Sequence, residues 1–425
     1  MRKLISLFSG AGGLDLGMEA AGFEVGAAVE MDKWACATLR ENRDWHVIER
    51  DIHDVSSQEL ASAAGVKPGE LDLLIGGPPC QPFSKSAMWA SGDTKRLDDP
   101  RADTLTAYLR VLKDLKPKAF FIENVNGIAF KGKDEGIKLL ENVINQINRE
   151  EGTNYSFQWR LLNCADYGVP QTRERIFIVG SRDGLPFKFP SPTHCSSEAD
   201  NSYLLQSVLQ PWVTAWEAIG FVESAEIDKL KATGKWAKLL PSIPEGMNYL
   251  HHTERGEGLP LFGWRTRYWG FLLKLAKNRP SWTLQAQPGS AIGPFHWENR
   301  RLSMEELCAL QTFPKGYKVL GGHTEMRRQL GNAVPSLMTE ILGKEIRKQF
   351  FQDKVIGEHA LSVERSTVIP APEELTGVAS EYLDLIGEHK AHPGTGKGPG
   401  AKQRTRDTTD TPEMGEVAQK NLFTN

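Results

Sequence analysis

Leu73-Leu74-Ile75-Gly76-Gly77-Pro78-Pro79-Cys80-Gln81-Pro82-Phe83-Ser84 is an apolar run that ends in two glycines and three prolines around a single cysteine. The apolar part reads as a buried strand, and the residues after it exclude both helix and sheet. Each proline fixes its own φ and biases its predecessor toward extended backbone, so Cys80 is presented on a stiff loop at a strand's carboxyl end. That edge is where open α/β sheets bind their ligands. An isolated cysteine is ordinarily a small buried hydrophobe. One displayed this way becomes a candidate nucleophile if a cation and an acid are supplied elsewhere in the chain.

Outward from this loop, residues 3–180 alternate β-rich runs with helical patterns. Strands are predicted over Lys3 to Phe8, Glu24 to Glu30, His46 to Ile48, Leu71 to Ile75, Ala119 to Glu123 and Ile176 to Gly180. Such alternation predicts an α/β fold with a parallel sheet covered on both faces. From Ser181 to about Trp297 the pattern breaks into proline, glycine and aromatic punctuation, which reads as a second domain. Regularity returns at Arg300, where Ser303 and Glu306 form a capping box for a helix toward Gln311. A further helix starts near Pro335 and runs to about Phe351. Beyond His389 the chain is rich in Gly, Pro, Lys and Thr and poor in apolar residues, so a disordered tail is expected.

The 425 residues are 25% charged and 40% hydrophobic, which is ordinary globular composition and long enough for two domains. Cys36, Cys80, Cys164, Cys195 and Cys308 form neither a zinc spacing nor a disulfide framework. A reducing, cytoplasmic compartment and no metal are therefore expected. Neither a signal peptide nor a membrane-spanning run is found. A net charge of -3 argues against uniform phosphate binding, so any nucleic-acid surface must be a local patch.

The first βα turn, Phe8-Ser9-Gly10-Ala11-Gly12-Gly13-Leu14-Asp15-Leu16-Gly17, lets the backbone approach a ligand closely. It fails the dinucleotide fingerprint, because Asp15 stands where the third glycine belongs. Glu30 and Asp51, at the ends of the next strands, suit ribose hydroxyls and an exocyclic amine respectively, which points to an adenosyl ligand without a pyrophosphate. Glu123 ends another apolar strand at the same sheet edge, where apolar neighbours can raise its pKa and make it an acid. Arg173 and Arg175 share one face of an extended segment and concentrate positive charge.

Together the stretches Phe8 to Gly17, Gly77 to Ser84, Glu123-Asn124-Val125, Gln171 to Arg175, Arg301 to Pro314 and Gly331-Asn332-Ala333-Val334-Pro335 resemble the ordered motif set of the DNA (cytosine-5) methyltransferases. The resemblance spans Leu4 to about Phe350. It implies a Rossmann-like S-adenosyl-L-methionine-dependent methyltransferase sheet with a second, smaller target-recognition domain. On this reading residues 1–180 and 300–352 form the catalytic and cofactor-binding domain, 181–299 the target-recognition domain and 353–425 a C-terminal extension. It also implies S-adenosyl-L-methionine as methyl donor and cytosine in double-stranded DNA as acceptor. An RNA cytosine-5 methyltransferase, or a catalytically silent DNA-binding relative, are the competing readings.

Carried over position by position, the resemblance makes Cys80 the nucleophile on carbon 6 of cytosine. Glu123 then engages ring nitrogen 3 and the exocyclic amine, and Arg175 the oxygen at carbon 2, with Arg173 beside it. Phe8, Ser9, Gly10, Gly12, Gly13, Leu14, Glu30, Met31, Asp51, Ile52, Pro79 and Asn332 match positions that surround the donor. Ser84 and Lys85 open a loop that can close over a flipped base. Arg265 and Arg267 lie in a basic, aromatic stretch, Arg255 to Trp282, that suits DNA contact. Because the motifs begin near Met1, the chain resembles compact bacterial modification enzymes, expected as monomers and paired with a restriction endonuclease.

Overall fold

The computed structural model describes residues 1–79, 103–125, 135–196, 209–223, 227–264, 268–286, 289–366 and 368–389. Cys80, Ser84, Lys85, Arg265, Arg267 and the tail beyond 389 lie outside the described residues. In chain order the first eight strands are β1 (Arg2–Leu7), β2 (Phe23–Glu30), β3 (Val47–Glu49), β4 (Leu73–Gly76), β5 (Ala119–Asn124), β6 (Ser156–Asn163), the two-residue β7 (Gln171–Thr172) and β8 (Glu174–Ser181). All but β7 form a seven-stranded sheet of order β3-β2-β1-β4-β5-β8-β6.

The sheet is parallel from β3 to β5, but β8 runs antiparallel to both β5 and β6. A parallel crossover needs a dozen or more residues. Only a short 3-10 turn, Cys164–Tyr167, and β7 separate β6 from β8, so the chain must double back. The sheet order reverses between β1 and β4, which places a ligand crevice at the carboxyl ends of those strands. Strand β6 is missing from the sequence expectation because it is a polar edge strand, its Trp159, Arg160 and Leu161 exposed.

Successive residues of β1 feed opposite faces of the sheet. Leu4 joins Met18, Phe121, Met338 and Leu342 on one face, while Ile5 and Leu7 join Leu60, Tyr108, Phe120 and Ile144 on the other. The helices that supply these residues are α1 (Gly13–Ala20), α2 (Lys33–Asn42), α3 (Ser57–Ala64), α4 (Asp103–Leu115) and α5 (Glu135–Glu151). Later in the chain come α6 (Ala215–Ile219), α7 (Met304–Leu310), α8 (His323–Asn332) and α9 (Ser336–Phe351). The capping box predicted at Ser303 and Glu306 is present at the start of α7. Helix α9 packs directly on α1. A Cβ built on Gly17 would stand 1.9 Å from Thr339 Oγ1 and 2.2 Å from the Ser336 carbonyl, so only glycine permits the approach. The last helix thereby returns the chain to the first turn.

Between β8 and α7 the described residues form the five-residue α6, three two-residue strands, short 3-10 turns and isolated bridges instead of long elements. Some of them, Ala215, Leu275, Leu284 and Trp297, pack with Ala11 and Leu16 of the first turn and with Leu307 of α7. Others, Leu239, Leu240, Ile243, Tyr249, Leu272 and Phe295, form a separate cluster that also includes Tyr382.

Residues 353–366 and 368–389 strap across the molecule. Asp353 pairs with Arg2 at 2.6 Å, Arg365 with Glu217 at 3.0 Å and Glu373 with the buried Lys277 at 2.7 Å. Tyr382 stacks on Trp236, with ring centroids 5.7 Å apart, and donates to the Lys235 carbonyl. Among the described residues no helix is long and apolar enough to cross a membrane.

Candidate active site and donor cleft

β4 delivers Gly77, Pro78 and Pro79 to the carboxyl edge of the sheet, and β5 delivers Glu123 beside them. The two are in contact. A Cβ on Gly77 would lie 3.2 Å from Glu123 Oε2 and 3.8 Å from Leu14 of the first turn. Two further bonds hold the proline segment: Asn124 donates to the Pro78 carbonyl at 3.1 Å, and the Thr104 hydroxyl to the Pro79 carbonyl at 3.2 Å. The chain therefore enters position 80 from a fixed root alongside a buried acid.

Glu123 is 8% exposed and Arg175 Nε lies 2.8 Å from its Oε1. Burial raises the carboxyl pKa above its ordinary value, and the nearby Arg175 and Arg173 guanidiniums oppose that shift. The result is an acid that can hold a proton yet stays paired with a cation. Arg175 and Arg173 diverge although they share a face. Arg173 is 1% exposed, donates to the Gly331 carbonyl at 2.9 Å and approaches that of Leu284. Burial holds its pKa down at about 9. It therefore ties the segment before β8 to the end of α8, while Arg175 alone pairs with the acid.

The residues expected to surround a donor converge on the first turn. Phe8, Gly10 and Gly12 all have positive φ, at 59°, 54° and 85°. Such backbone suits glycine, and at Phe8 it marks strain held by the turn. Nothing lies within 4 Å of a Cβ built on Gly10, so its face is open to a ligand. Glu30 accepts from the Gly10 amide at 2.8 Å and from the Met31 and Asp32 amides at 2.9 and 2.8 Å. That fixes the carboxylate and leaves about one acceptor site, on Oε2, for a ribose hydroxyl. Asp51 caps the following turn through the His53 amide, which lowers its pKa and keeps it ionised. Met31 is 69% exposed and so available to an adenine face, Ile52 is buried, and Asn332 is exposed at the end of α8. Ser9 bonds to Ser6, and Gly13 packs on the Val334 carbonyl. An open glycine turn flanked by two fixed carboxylates and an exposed thioether fits S-adenosyl-L-methionine.

Several supports were not picked out from the sequence. Asn124 and Thr104 anchor the proline segment. Gln171 is fully buried, with its amide on the Leu310 carbonyl and its oxygen accepting from the Leu284 amide. Arg328 pairs with Asp32 at 2.7 Å, and Tyr317 donates to the Ala11 carbonyl at 2.8 Å. Asn124 and Gln171 sit inside the quoted motifs, which signals them. Thr104 reaches back 25 residues to Pro79, and Arg328 and Tyr317 act across 296 and 306 residues, contacts for which the sequence carries no local pattern.

The family model of the C-5 cytosine-specific DNA methylases matches residues 2–348. The chain is 38% identical over 370 residues to the Type II methyltransferase M.SacI of Streptomyces achromogenes, covering 81% of this chain and 93% of that one. It is 34% identical to the Type II methyltransferase M.NgoFVII of Neisseria gonorrhoeae, over 81% of this chain and 86% of the relative. Among solved structures, a DNA modification methyltransferase encoded within an E. coli prophage shares the fold with a TM-score of 0.54 at 24% identity, covering 83% of this chain and all of that one. The chain therefore belongs to the C-5 cytosine-specific DNA methylases, enzymes that take their methyl group from S-adenosyl-L-methionine.

Proposed function

We propose that this enzyme methylates carbon 5 of a cytosine flipped out of a specific short duplex sequence, through a covalent adduct with Cys80. The observation that carries the reading is the buried Glu123 carboxylate, 2.8 Å from Arg175 Nε and in contact with the root of the Cys80 loop. Carbon 5 of cytosine is a poor nucleophile. Addition of the Cys80 thiolate at carbon 6 pushes electron density to carbon 5, while a proton from Glu123 at nitrogen 3 and the Arg175 guanidinium stabilise the developing charge. When bound, S-adenosyl-L-methionine supplies the electrophilic methyl group that carbon 5 takes. Loss of the carbon 5 proton and elimination of Cys80 then restore the ring. Stacking shields these atoms in the duplex, so the base must be extruded.

Three of the four described cysteines support this choice of nucleophile. Cys36, Cys164 and Cys308 are buried, and burial pushes their thiols up to about 12, far from the thiolate form at neutral pH. Phe8, Glu30, Met31, Asp51, Pro79 and Asn332 would hold the donor. Residues 181–299 form the recognition module, Arg265 and Arg267 contact DNA there, and Ser84 and Lys85 contact it from the loop after Cys80. The enzyme acts as a cytoplasmic monomer and protects DNA from a restriction endonuclease of the same specificity.

The test is a duplex carrying 5-fluorocytosine in place of cytosine. Fluorine does not leave as a proton does, so the wild-type chain is trapped covalently and Cys80→Ser is not. Trapping of the serine variant, or none of the wild type, overturns the assignment.

A further inference from the structure

One face of α8 carries cations that the chemistry above does not use. His323, Arg327 and Gly331 recur at four-residue spacing and so share that face. Gly331 is pressed against the recognition segment, because a Cβ built on it would lie 2.5 Å from Ala286 backbone atoms. Arg301 is also tied to the recognition segment: its amide donates to the Leu230 carbonyl at 2.7 Å and its guanidinium to Thr233 Oγ1 at 3.0 Å. Among the described residues neither Arg327 nor Arg301 forms an ion pair. Arg300 instead takes Glu306 and Glu298, and Arg328 takes Asp32.

This arrangement is unfavourable in the free protein. Half-buried beside Arg301, Arg327 is held down at about 10, and both arginines lower His323 further. A surface arginine normally finds a carboxylate or extends into water. One kept at a seam against a second guanidinium is a candidate for an anion supplied from outside. A phosphodiester matches the planar fork of arginine in charge and geometry.

We propose that Arg327, Arg301 and His323 form a site for a backbone phosphate of the bound DNA, beside the joint where recognition segment and catalytic domain meet. The proposal rests on the functional reading above. Arg173 links the Gly331 carbonyl to the Leu284 segment and stands two residues from Arg175, so the phosphate is held on the same joint that positions the catalytic pair. The other anion in the system is the donor's carboxylate. The structure separates the two: Arg328 turns to Asp32 at the donor corner, and adjacent helical residues point about 100° apart, which aims Arg327 at the recognition segment.

The experiment titrates a plasmid fragment, assayed in parallel for methylation by the wild-type enzyme, at several salt concentrations, against wild type, Arg327→Gln and Arg327→Lys. S-adenosyl-L-methionine titration and thermal melting of each free protein accompany it. Arg327→Gln should bind the fragment severalfold more weakly, with the slope of log K against log salt reduced by about one. Its donor affinity should match wild type, and its melting temperature should equal or exceed wild type because the repulsion with Arg301 is relieved. Arg327→Lys should keep the slope. An unchanged slope in Arg327→Gln, or a lower melting temperature with the slope retained, overturns the site. Loss of donor binding in step with DNA binding assigns the cluster to the donor and overturns it equally. Wild type that neither binds nor methylates the fragment overturns the functional reading and the site together.

Discussion

Arg175 reaches Glu123 from β8, the one strand of the sheet that runs against its neighbours. Its Nε meets Oε1 at 2.8 Å, so a cation and a buried acid face each other across an antiparallel pair. Glu123→Gln should keep duplex affinity and lose roughly 10²- to 10⁴-fold in single-turnover rate, as expected for removal of a general acid. Arg175→Ala removes the opposing charge, which lets burial raise the Glu123 pKa further. Its pH-rate profile should then show the limb due to Glu123 ionisation displaced to higher pH. Quench-flow methylation across pH 5 to 9 measures both, and a limb at the wild-type position removes Arg175 from control of the acid.

Asp15 gives a stability prediction with a definite sign. It is fully buried below the first turn, neither carboxylate oxygen has a hydrogen-bond partner among the described residues, and burial raises its pKa from 3.8 to about 6. The Ser6 and Ser9 hydroxyls nearby only moderate this. A carboxyl with a raised folded-state pKa binds more proton folded than unfolded, so stability falls as pH climbs from about 4 to 6 and stays low above that. Asp15→Asn should therefore stabilise the chain at pH 7.5, by up to roughly 3 kcal/mol, and show little difference at pH 4. Urea titrations at the two pH values read this directly. Equal stability at pH 7.5 would show that Asp15 has found a partner.

Gly17→Ala should be costly although alanine is the better helix former. The new Cβ has nowhere to go against Thr339 and the Ser336 carbonyl, so α1 and α9 must separate. Overpacking of this kind costs typically 1–3 kcal/mol. Because α9 follows directly from Val334 and Gly13 packs on that carbonyl, donor affinity should fall as well. Denaturant melts with donor titration test the pair of effects, and a variant as stable as wild type would mean that the helices repack at no cost.

Tyr382→Ala should loosen the separate cluster around Leu239 and Leu272. The ring is 3% exposed, stacks on Trp236 and bonds to the Lys235 carbonyl. Truncating a buried aromatic costs roughly 3–5 kcal/mol. Hydrogen exchange should rise in residues 235–252 and stay unchanged in β4 and β5, and uniform exchange across the chain would contradict the placement.

The strands of the sheet were largely legible because each central one is a run of apolar residues cut off by a turn signal. β4 and β5 read directly, and Glu123 followed from its place at the end of one of them. β6 did not, since Ser156-Phe157-Gln158-Trp159-Arg160 lies at a solvated edge where neither period dominates. Nor did the separation of Arg173 from Arg175: two arginines on one face of an extended segment look equivalent until Gly331, more than 150 residues later, claims one of them. The donor residues sat on local motifs, whereas Arg328, Tyr317 and Tyr382 act through contacts that only the folded chain creates.

The strap has a consequence for how specificity can pass between enzymes. Lys277 rests on Glu373, and Trp236 on Tyr382, so the core of the proposed recognition module draws on residues that follow α9. An exchange that imports codons 181–299 alone delivers a module without its closing tyrosine and leaves the resident strap facing a stranger's surface. If the module reads the target as proposed, a transplant that keeps its core intact must move two separate segments together.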